Sequence, residues 1–516
     1  MAETGKVYLV GAGPGDPALV TIRAKALIGQ CDVLIMDQLV NMELSTWVKP
    51  GCEVVLMGKG RAAMPSFTQS EIEEALVDRA KRGLEVVRLK GGDPFIYGRG
   101  GEEMEVLAEQ FIPFEIVPGI TAALAAASYT GIPLTHRSKS SSLVFLTGHE
   151  DPNKEESRIH MEEYVRFGGT LCIYMGMKNL DSLVSQLIEA GMDKETPVAV
   201  VQWATTPRQL TLRSPLGELS RRVKEKNIHS PAVIIIGEVA GADTRFSWFE
   251  SKPLFGRRVL ITRSRKQTGR LRDMLGDLGA EVVEIPLIEI RPTVNRQVLG
   301  EVFAEIATYE WIVFTSPNGV RYFFEYFWKA FKDIRSIGGA RFAAIGEGTA
   351  REIEKQGLEV DLVPRESVAE SLGEALVGSE SLPSANVLVV TGNRNRDVLV
   401  DMLEEGEAIV DTLQVYETVK AKLEEIDDLA SIREEGFDYV LFTSSSIVES
   451  YVENRHKLEG ENARRKPVPV SMGPITSEAL RKHDIPVDIE AEESSMQSLV
   501  DSLVRHVRGI TGNLES

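Results

Sequence analysis

The sequence predicts an α/β protein made of two successive two-lobed units, and three observations carry that expectation. The chain opens as strand, glycine turn and helix: Lys6–Val10, then GAGPGDP over Gly11–Pro17, then a helical stretch from Leu19 to Ile28. This is how nucleotide-type α/β units begin, with ligands held at the carboxyl ends of the strands. The second half repeats itself: FTSPNGV from Phe314 and FTSSSIV from Phe442 lie 128 residues apart, Gly346 of AIGEGTA and Gly473 of SMGPITS 127, and Thr262 of LITR and Thr391 of VVTG 129. Such spacing indicates two similar lobes with strand-end Thr and Ser facing a shared cleft, although strand–turn–helix units also resemble one another in general. Between the halves, Gly241–Gly256 (GADTRFSWFESKPLFG) has no period and marks the boundary.

Composition narrows the class. A chain of 516 residues suggests three or four domain-sized pieces of roughly 150 residues each. With 43% hydrophobic and 26% charged residues it suits ordinary globular cores. No apolar run of about 18 residues is present, so no membrane span is expected, and MAETGK enters the first strand without a signal-peptide pattern. Cys31, Cys52 and Cys172 form no CxxC pair, which argues against a disulfide framework or a cysteine zinc site and fits a reducing cytoplasm. The seven histidines show no HExxH spacing, so no metal is expected. A net charge of −19 disfavours nucleic acid and acidic membranes as partners, but a locally basic pocket still suits a small polyanion.

The first half is organised around KGGDPFIYGRGGEE, Lys90–Glu103, which follows a Val-Val-Arg-Leu strand and leads into the helix-forming MEVLAEQF. Five glycines among an Asp, an Arg and two Glu leave backbone bare for a ligand, or make a solvated loop. A dinucleotide fingerprint would place its third glycine at Asp16, and Pro14 lacks the N–H a pyrophosphate uses; a ligand without phosphates fits better. Asp37 ends the strand Cys31–Asp37 and either caps the next helix or faces ligand. Lys59 closes the strand Val54–Gly60 in a glycine turn, solvated or functional. Thr121 starts the small-residue helix TAALAAAS as a cap or a ligand hydroxyl, and Met175 and Met177 follow a strand at Thr170–Gly176, where methionine is commonly core filler. Leu143–His149 begins a second lobe, and Ala232–Val239 is a further strand.

GAGPGDP, KGGDPFIYGRGGEE, VPGITAALAAASYTGIPLTHR, LTGH and YMG occur here in the order seen in the uroporphyrinogen-III C-methyltransferases, and residues 5–245 resemble that branch of the tetrapyrrole methylases. The resemblance implies a two-lobed tetrapyrrole methylase fold with S-adenosylmethionine in the cleft, leaving as S-adenosylhomocysteine, and two methyl transfers that turn uroporphyrinogen III into precorrin-2. The electron-rich pyrrole carbon is the nucleophile, so the protein positions reactants and moves protons. By similarity Pro14, Gly91, Gly92, Asp93, Ile96, Thr121, Ala122, Met175 and Ala204 line the cofactor pocket. Asp37 matches a proton acceptor and Lys59 a proton donor. Arg99, Glu102 and Arg137 match positions tied to substrate binding or deprotonation, and an arginine suits carboxylate anchoring better than base chemistry. The chain departs from the family in Gly58-Lys59-Gly60-Arg61 with no His before Gln69, in Met36 before Asp37, and in Ala204 where glycine is usual. The resemblance also implies a homodimer through this half.

FTSPNGVRYF, AIGEGTA, SVAESLGEAL, VYET, FTSSSIV and MGPITS resemble the uroporphyrinogen-III synthases over residues 256–505. This implies a bilobed α/β fold with two similar lobes, about 256–290 with 417–510 and about 291–416. The implied reaction closes hydroxymethylbilane with loss of water and inversion of the last ring, without a cofactor. By similarity Tyr416 assists departure of the hydroxyl, though it also fits a buried hinge. Thr349 and Thr476 take acetate and propionate arms, Ser316, Asn318 and Ser444 are further candidates, and Arg263, Arg394 and Arg396 supply charge or a solvated face. The expected organisation is a methyltransferase at 1–243, a linker at 244–255 and a synthase at 256–510. The synthase product is the methyltransferase substrate, so the chain reads as a cytoplasmic bifunctional enzyme. The rivals are a methyltransferase fused to a catalytically silent binding module, and a dinucleotide-dependent dehydrogenase that Pro14 and Asp16 disfavour.

Overall fold

A computed structural model describes residues 4–57, 67–148, 160–262, 265–379, 381–393, 397–421, 423, 429–460 and 462–515. Lys59, Arg263, Arg394 and Arg396 lie outside the described residues. Two compact units result, one of Met1–Arg258 with Asp273–Val282 and Val504–Ser516, the other of Val259–Arg272 with Val283–Leu503.

The first unit holds two five-stranded sheets. Strands β1 (Val7–Gly11), β2 (Val33–Met36), β3 (Glu53–Leu56), β4 (Val86–Lys90) and β5 (Phe114–Val117) pair in parallel in the order β3-β2-β4-β1-β5. Parallel strands covered by helices on both faces need continuous apolar runs, and VYLV and VLIM supply them. Val87 and Leu89 of β4 pack on one core and Val86 on the other. Because side chains alternate along a strand, Arg88 and Lys90 share the face of Val86 and are buried with it. The second sheet comprises β6 (Leu143–Thr147), β7 (Thr170–Tyr174), β8 (Pro197–Gln202), β9 (Leu210–Pro215) and β10 (Ala232–Ile236) in the order β6-β7-β10-β8-β9. Only β6 and β7 run parallel there. Residues 244–255 are packed chain: the indole of Trp248 donates to Ser128 O at 2.9 Å, and Tyr129 meets the rings of Trp248 and Phe249.

Three strand ends of the first sheet converge at glycine. A Cβ on Gly119 would lie 2.2 Å from Gly92 O, and one on Gly11 would lie 2.5 Å from Gly119 Cα. No other residue fits without moving backbone.

The second unit also holds two five-stranded sheets. Its strands are β11 (Arg258–Ile261), β12 (Glu281–Glu284), β13 (Ile288–Pro292), β14 (Trp311–Phe314), β15 (Arg341–Ala344), β16 (Asn386–Gly392), β17 (Ile409–Lys420), β18 (Tyr439–Phe442), β19 (Val468–Ser471) and β20 (Ile489–Glu490). The sheet orders are β12-β11-β18-β19-β20 and β13-β17-β16-β14-β15. The two crossings between lobes are β13 and the end of β17, which pair antiparallel from Ile288↔Lys420 to Pro292↔Tyr416. That pairing carries the second sheet a little beyond the 291–416 expected.

The repeat reappears as backbone geometry. Ser316 has φ −166° and ψ 157°, and Ser444 has −165° and 159°. Gly346 and Gly473 are both extended residues that begin a helix. Ser367 Oγ stands 2.2 Å from a Cβ built on Gly346, and Ser494 Oγ 2.8 Å from one on Gly473. The lobes therefore repeat strand ends, glycines and the serines that crowd them.

Gly119→Ala should destabilise the first unit by roughly 1–3 kcal/mol, since backbone must shift to admit the methyl group. Thermal unfolding followed by peptide-resolved hydrogen exchange should show early loss of the first unit and an unchanged second unit. A variant as stable as the parent would contradict the packing described.

Candidate active sites

The floor of the first site is the pair of glycine loops after β1 and β4. Gly92 N–H donates to Gly13 O at 2.7 Å and Gly13 N–H to Gly92 O at 3.2 Å, so Pro14 and Gly91 sit on joined backbone. Asp93 ties this floor to the β5 end: its carboxylate accepts from Phe95 N–H at 2.9 Å and from Gly119 N–H at 3.0 Å. A Cβ on Gly91 would meet nothing nearer than Leu39 Cβ at 3.8 Å, which leaves that side open. Asp16, where a third glycine would stand in a dinucleotide loop, works across the lobes. Its N–H donates to Thr205 Oγ1 at 3.0 Å, and its carboxylate accepts from Tyr129 OH at 2.6 Å.

The second sheet supplies the facing wall. Tyr174 OH pairs with Thr121 Oγ1 at 2.7 Å and accepts from Ala123 N–H at 2.9 Å. Thr121 begins the helix Ala122–Thr130 without capping it through its side chain. Met175 follows with φ 56° and is 47% exposed, so it is no core filler; Met177 is the one that packs into the core. Trp203 and Thr205 flank the buried Ala204, each with positive φ, and Tyr97 and Arg99 do the same in the central loop. Left-handed backbone in residues other than glycine costs of order 1–3 kcal/mol and concentrates where ligands are held. Ile96, half-buried, packs on the core behind Thr121 and Ala122.

Charge is concentrated beside Asp37. Its carboxylate accepts from Arg88 Nη2, and its side chain is 30% exposed where that of Arg88 is 2%. Glu103 Oε1 accepts from Arg88 Nε at 3.2 Å, Lys90 Nζ at 2.6 Å and Gln69 Nε2 at 3.3 Å. Burial opposes the charge on Arg88, but the carboxylates of Asp37 and Glu103 outweigh it and hold the guanidinium protonated. For Lys90, burial and then Arg88 push the ammonium pKa down against the pull of Glu103. Arg99 binds Glu102 through Nε at 3.0 Å, which holds that carboxyl below its usual range, and Arg137 lies exposed. Among the described residues no three His, Cys, Asp or Glu side chains gather as a metal site would need.

In the second unit Tyr416 is braced. Its hydroxyl pairs with Ser316 Oγ at 3.0 Å, its ring stacks on Tyr322 with centroids 6.2 Å apart, and a Cβ on Gly392 would strike it at 2.4 Å. Ser316 also accepts from Gly319 N–H at 3.0 Å, and Asn318 is half-buried in the same turn. Ser444 occupies the equivalent turn and pairs with Ser446 at 3.0 Å. Thr349 and Thr476 are 2% and 6% exposed. Both lie in the first turns of their helices, Glu347–Glu354 and Pro474–Lys482.

Two family models match this chain, Tetrapyrrole (Corrin/Porphyrin) Methylases over residues 6–220 and Uroporphyrinogen-III synthase HemD over residues 269–501. A Ruminiclostridium josui relative, "Porphyrin biosynthesis protein HemD", is 36% identical over 97% of this chain and 98% of its own length. The chain belongs to the family that fuses a tetrapyrrole methylase to a uroporphyrinogen-III synthase. The "Uroporphyrinogen-III C-methyltransferase" of Bacillus subtilis (strain 168) is 40% identical over 71% of this chain and 74% of its own. The "S-adenosyl-L-methionine-dependent uroporphyrinogen III methyltransferase" of Methanosarcina barkeri (strain Fusaro / DSM 804) is 46% identical over 46% of this chain and 92% of its own.

Within the methylase half, sequence reasoning passed over Arg88, Lys90, Tyr174 and Thr205. A signal for the first two was present: two cations at alternate positions of the otherwise apolar Val86–Lys90 strand need buried counter-charges. Tyr174 stands in the YMG motif, but nothing local gives the role of its hydroxyl, which pairs with a segment 53 residues earlier.

Tyr174→Phe leaves the buried Ala123 N–H without its acceptor, a loss of about 1–3 kcal/mol. Hydrogen exchange in peptides covering 119–130 should accelerate in this variant and less in Thr121→Val, which keeps that acceptor. The opposite order would contradict the arrangement.

Proposed function

We propose that the methylase half transfers two methyl groups from S-adenosylmethionine to uroporphyrinogen III, giving precorrin-2, and that the synthase half makes uroporphyrinogen III from hydroxymethylbilane. The observation that carries the first assignment is the glycine floor joined through Gly13 and Gly92, with Asp37 at the end of the neighbouring strand. This floor suits a sulfonium cofactor: it offers bare backbone on Gly91 and a proline, not an N–H, at position 14. When bound, that group supplies an electrophilic methyl. The protein's residues then do the rest. Pro14, Gly91, Gly92, Asp93, Ile96, Thr121, Ala122, Met175 and Ala204 hold the cofactor. The pyrrole carbon forms its new bond to carbon, and Asp37 accepts the proton that the substrate must lose, Lys59 returning one where needed. Arg99, steadied by Glu102, and Arg137 receive substrate carboxylates.

In the synthase half, Tyr416 is aimed by Ser316 and Tyr322 and seated in the space that Gly392 leaves, so its hydroxyl assists departure of the bilane hydroxyl as water. Thr349 and Thr476, with Ser316, Asn318 and Ser444, hold the acidic arms while the last ring inverts. This half needs no cofactor, since dehydration and ring closure involve no net redox change. The reading divides the chain at 1–243, 244–255 and 256–510, places it in the cytoplasm, and makes the methylase half a homodimer, which sedimentation of the full chain tests.

Separate loss of each activity tests the assignment. Asp37→Asn should lower methylation of supplied uroporphyrinogen III by roughly 10²-fold or more and leave the isomer ratio from hydroxymethylbilane unchanged. Tyr416→Phe should slow formation of the type III isomer, raise the type I fraction, and leave methylation of supplied uroporphyrinogen III intact. A single variant that abolished both activities in a folded chain would count against two independent sites.

A further inference from the structure

We propose that Arg88, Glu103 and Lys90 form a positioning set for the proton step of methyl transfer, fixing the Asp37 carboxylate at the cleft and restoring it between the two methylations. The proposal rests on the reading of Asp37 as proton acceptor and adds three residues to which that reading gives no role.

Burial is the first argument. Arg88 and Lys90 are 2% exposed and Glu103 is not exposed at all. Taking such charges out of water costs several kcal/mol per ion, and well-packed apolar residues often stabilise a core as well or better. Stability alone therefore gives little reason for this set.

Geometry is the second. Asp37 follows β2 directly and donates its own N–H to Leu89 O at 3.0 Å, between Arg88 and Lys90 on β4. Arg88 touches Asp37 with one arm and Glu103 with another, while Lys90 and Gln69 hold the same Glu103 oxygen. Of the four charged side chains, that of Asp37 alone reaches solvent.

Unmatched atoms are the third. Arg88 Nη1 and Glu103 Oε2 are buried without a partner, a donor and an acceptor left over in one cluster. Buried polar atoms are normally satisfied, and an exception calls for a reason such as a catalytic role or a bound water. Solvent access completes the case. Arg88 and Lys90 face Glu103 and Asp37, and of these four side chains that of Asp37 is open to water, 30% exposed. A proton that Asp37 takes from the pyrrole carbon leaves to water at that edge, which returns the carboxylate before the second transfer.

The test uses the full chain with uroporphyrinogen III and S-adenosylmethionine supplied. Arg88→Met should cut kcat for methylation at least tenfold, accumulate monomethylated product and raise the solvent deuterium isotope effect, with KM for both substrates within about twofold. Arg88→Lys should recover part of kcat. Because Arg88 acts through Asp37, adding Arg88→Met to Asp37→Asn should cost little more than Asp37→Asn alone. If Arg88→Met fails to fold, judged by hydrogen exchange in first-unit peptides, the near-isosteric Glu103→Gln takes its place with the same expectations. Full additivity with Asp37→Asn, or a loss confined to KM, would overturn the proposal. An unaffected Asp37→Asn would instead overturn the reading of Asp37 on which it rests.

Discussion

Three chain segments meet at the carboxyl ends of β1, β4 and β5 with no room for a side chain, and the first site depends on that contact. Gly11, Gly92 and Gly119 approach so closely that a methyl group on Gly119 would lie 2.2 Å from a carbonyl oxygen. The close approach lets Gly13 and Gly92 exchange backbone hydrogen bonds and lets Asp93 reach across to the Gly119 N–H. Two loops distant in sequence thereby become one floor. A flexible glycine loop would lose much conformational entropy on binding; here folding has already ordered it.

Beside that floor the protein buries a balanced group of charges rather than apolar side chains. The group extends from the helix Gly100–Glu109 through β4 to Asp37. The floor and the charges both hang on the end of β4: Lys90 is the last residue of the strand and Gly91 the first of the loop. This explains why the run Lys90–Glu103 combines glycines with charges. Its glycines shape the floor, its first residue and its last enter the buried set, and Arg99 and Glu102 pair on the surface between them.

Much of this was legible in the sequence, for reasons that differ from residue to residue. Glycine and proline restrict the backbone itself, so GAGPGDP and KGGDPFIYGRGGEE announced loops at strand ends. The duplicated FTS and glycine turns announced two lobes, and Ser316 and Ser444 share dihedrals within 2°. Left-handed Met175 and the partners of Tyr174 were illegible, because both are settled by contacts between lobes. Arg88 was legible only in retrospect, as a cation in an apolar strand.

The central claim is that one chain carries both a ring-closing and a methylating site. The direct measurement is purified full-length protein given hydroxymethylbilane, with and without S-adenosylmethionine, followed by isomer separation and mass analysis. The account predicts type III uroporphyrinogen without the cofactor and a dimethylated product with it. Type I isomer alone would contradict an active synthase half, and unmethylated type III in the presence of cofactor would contradict an active methylase half.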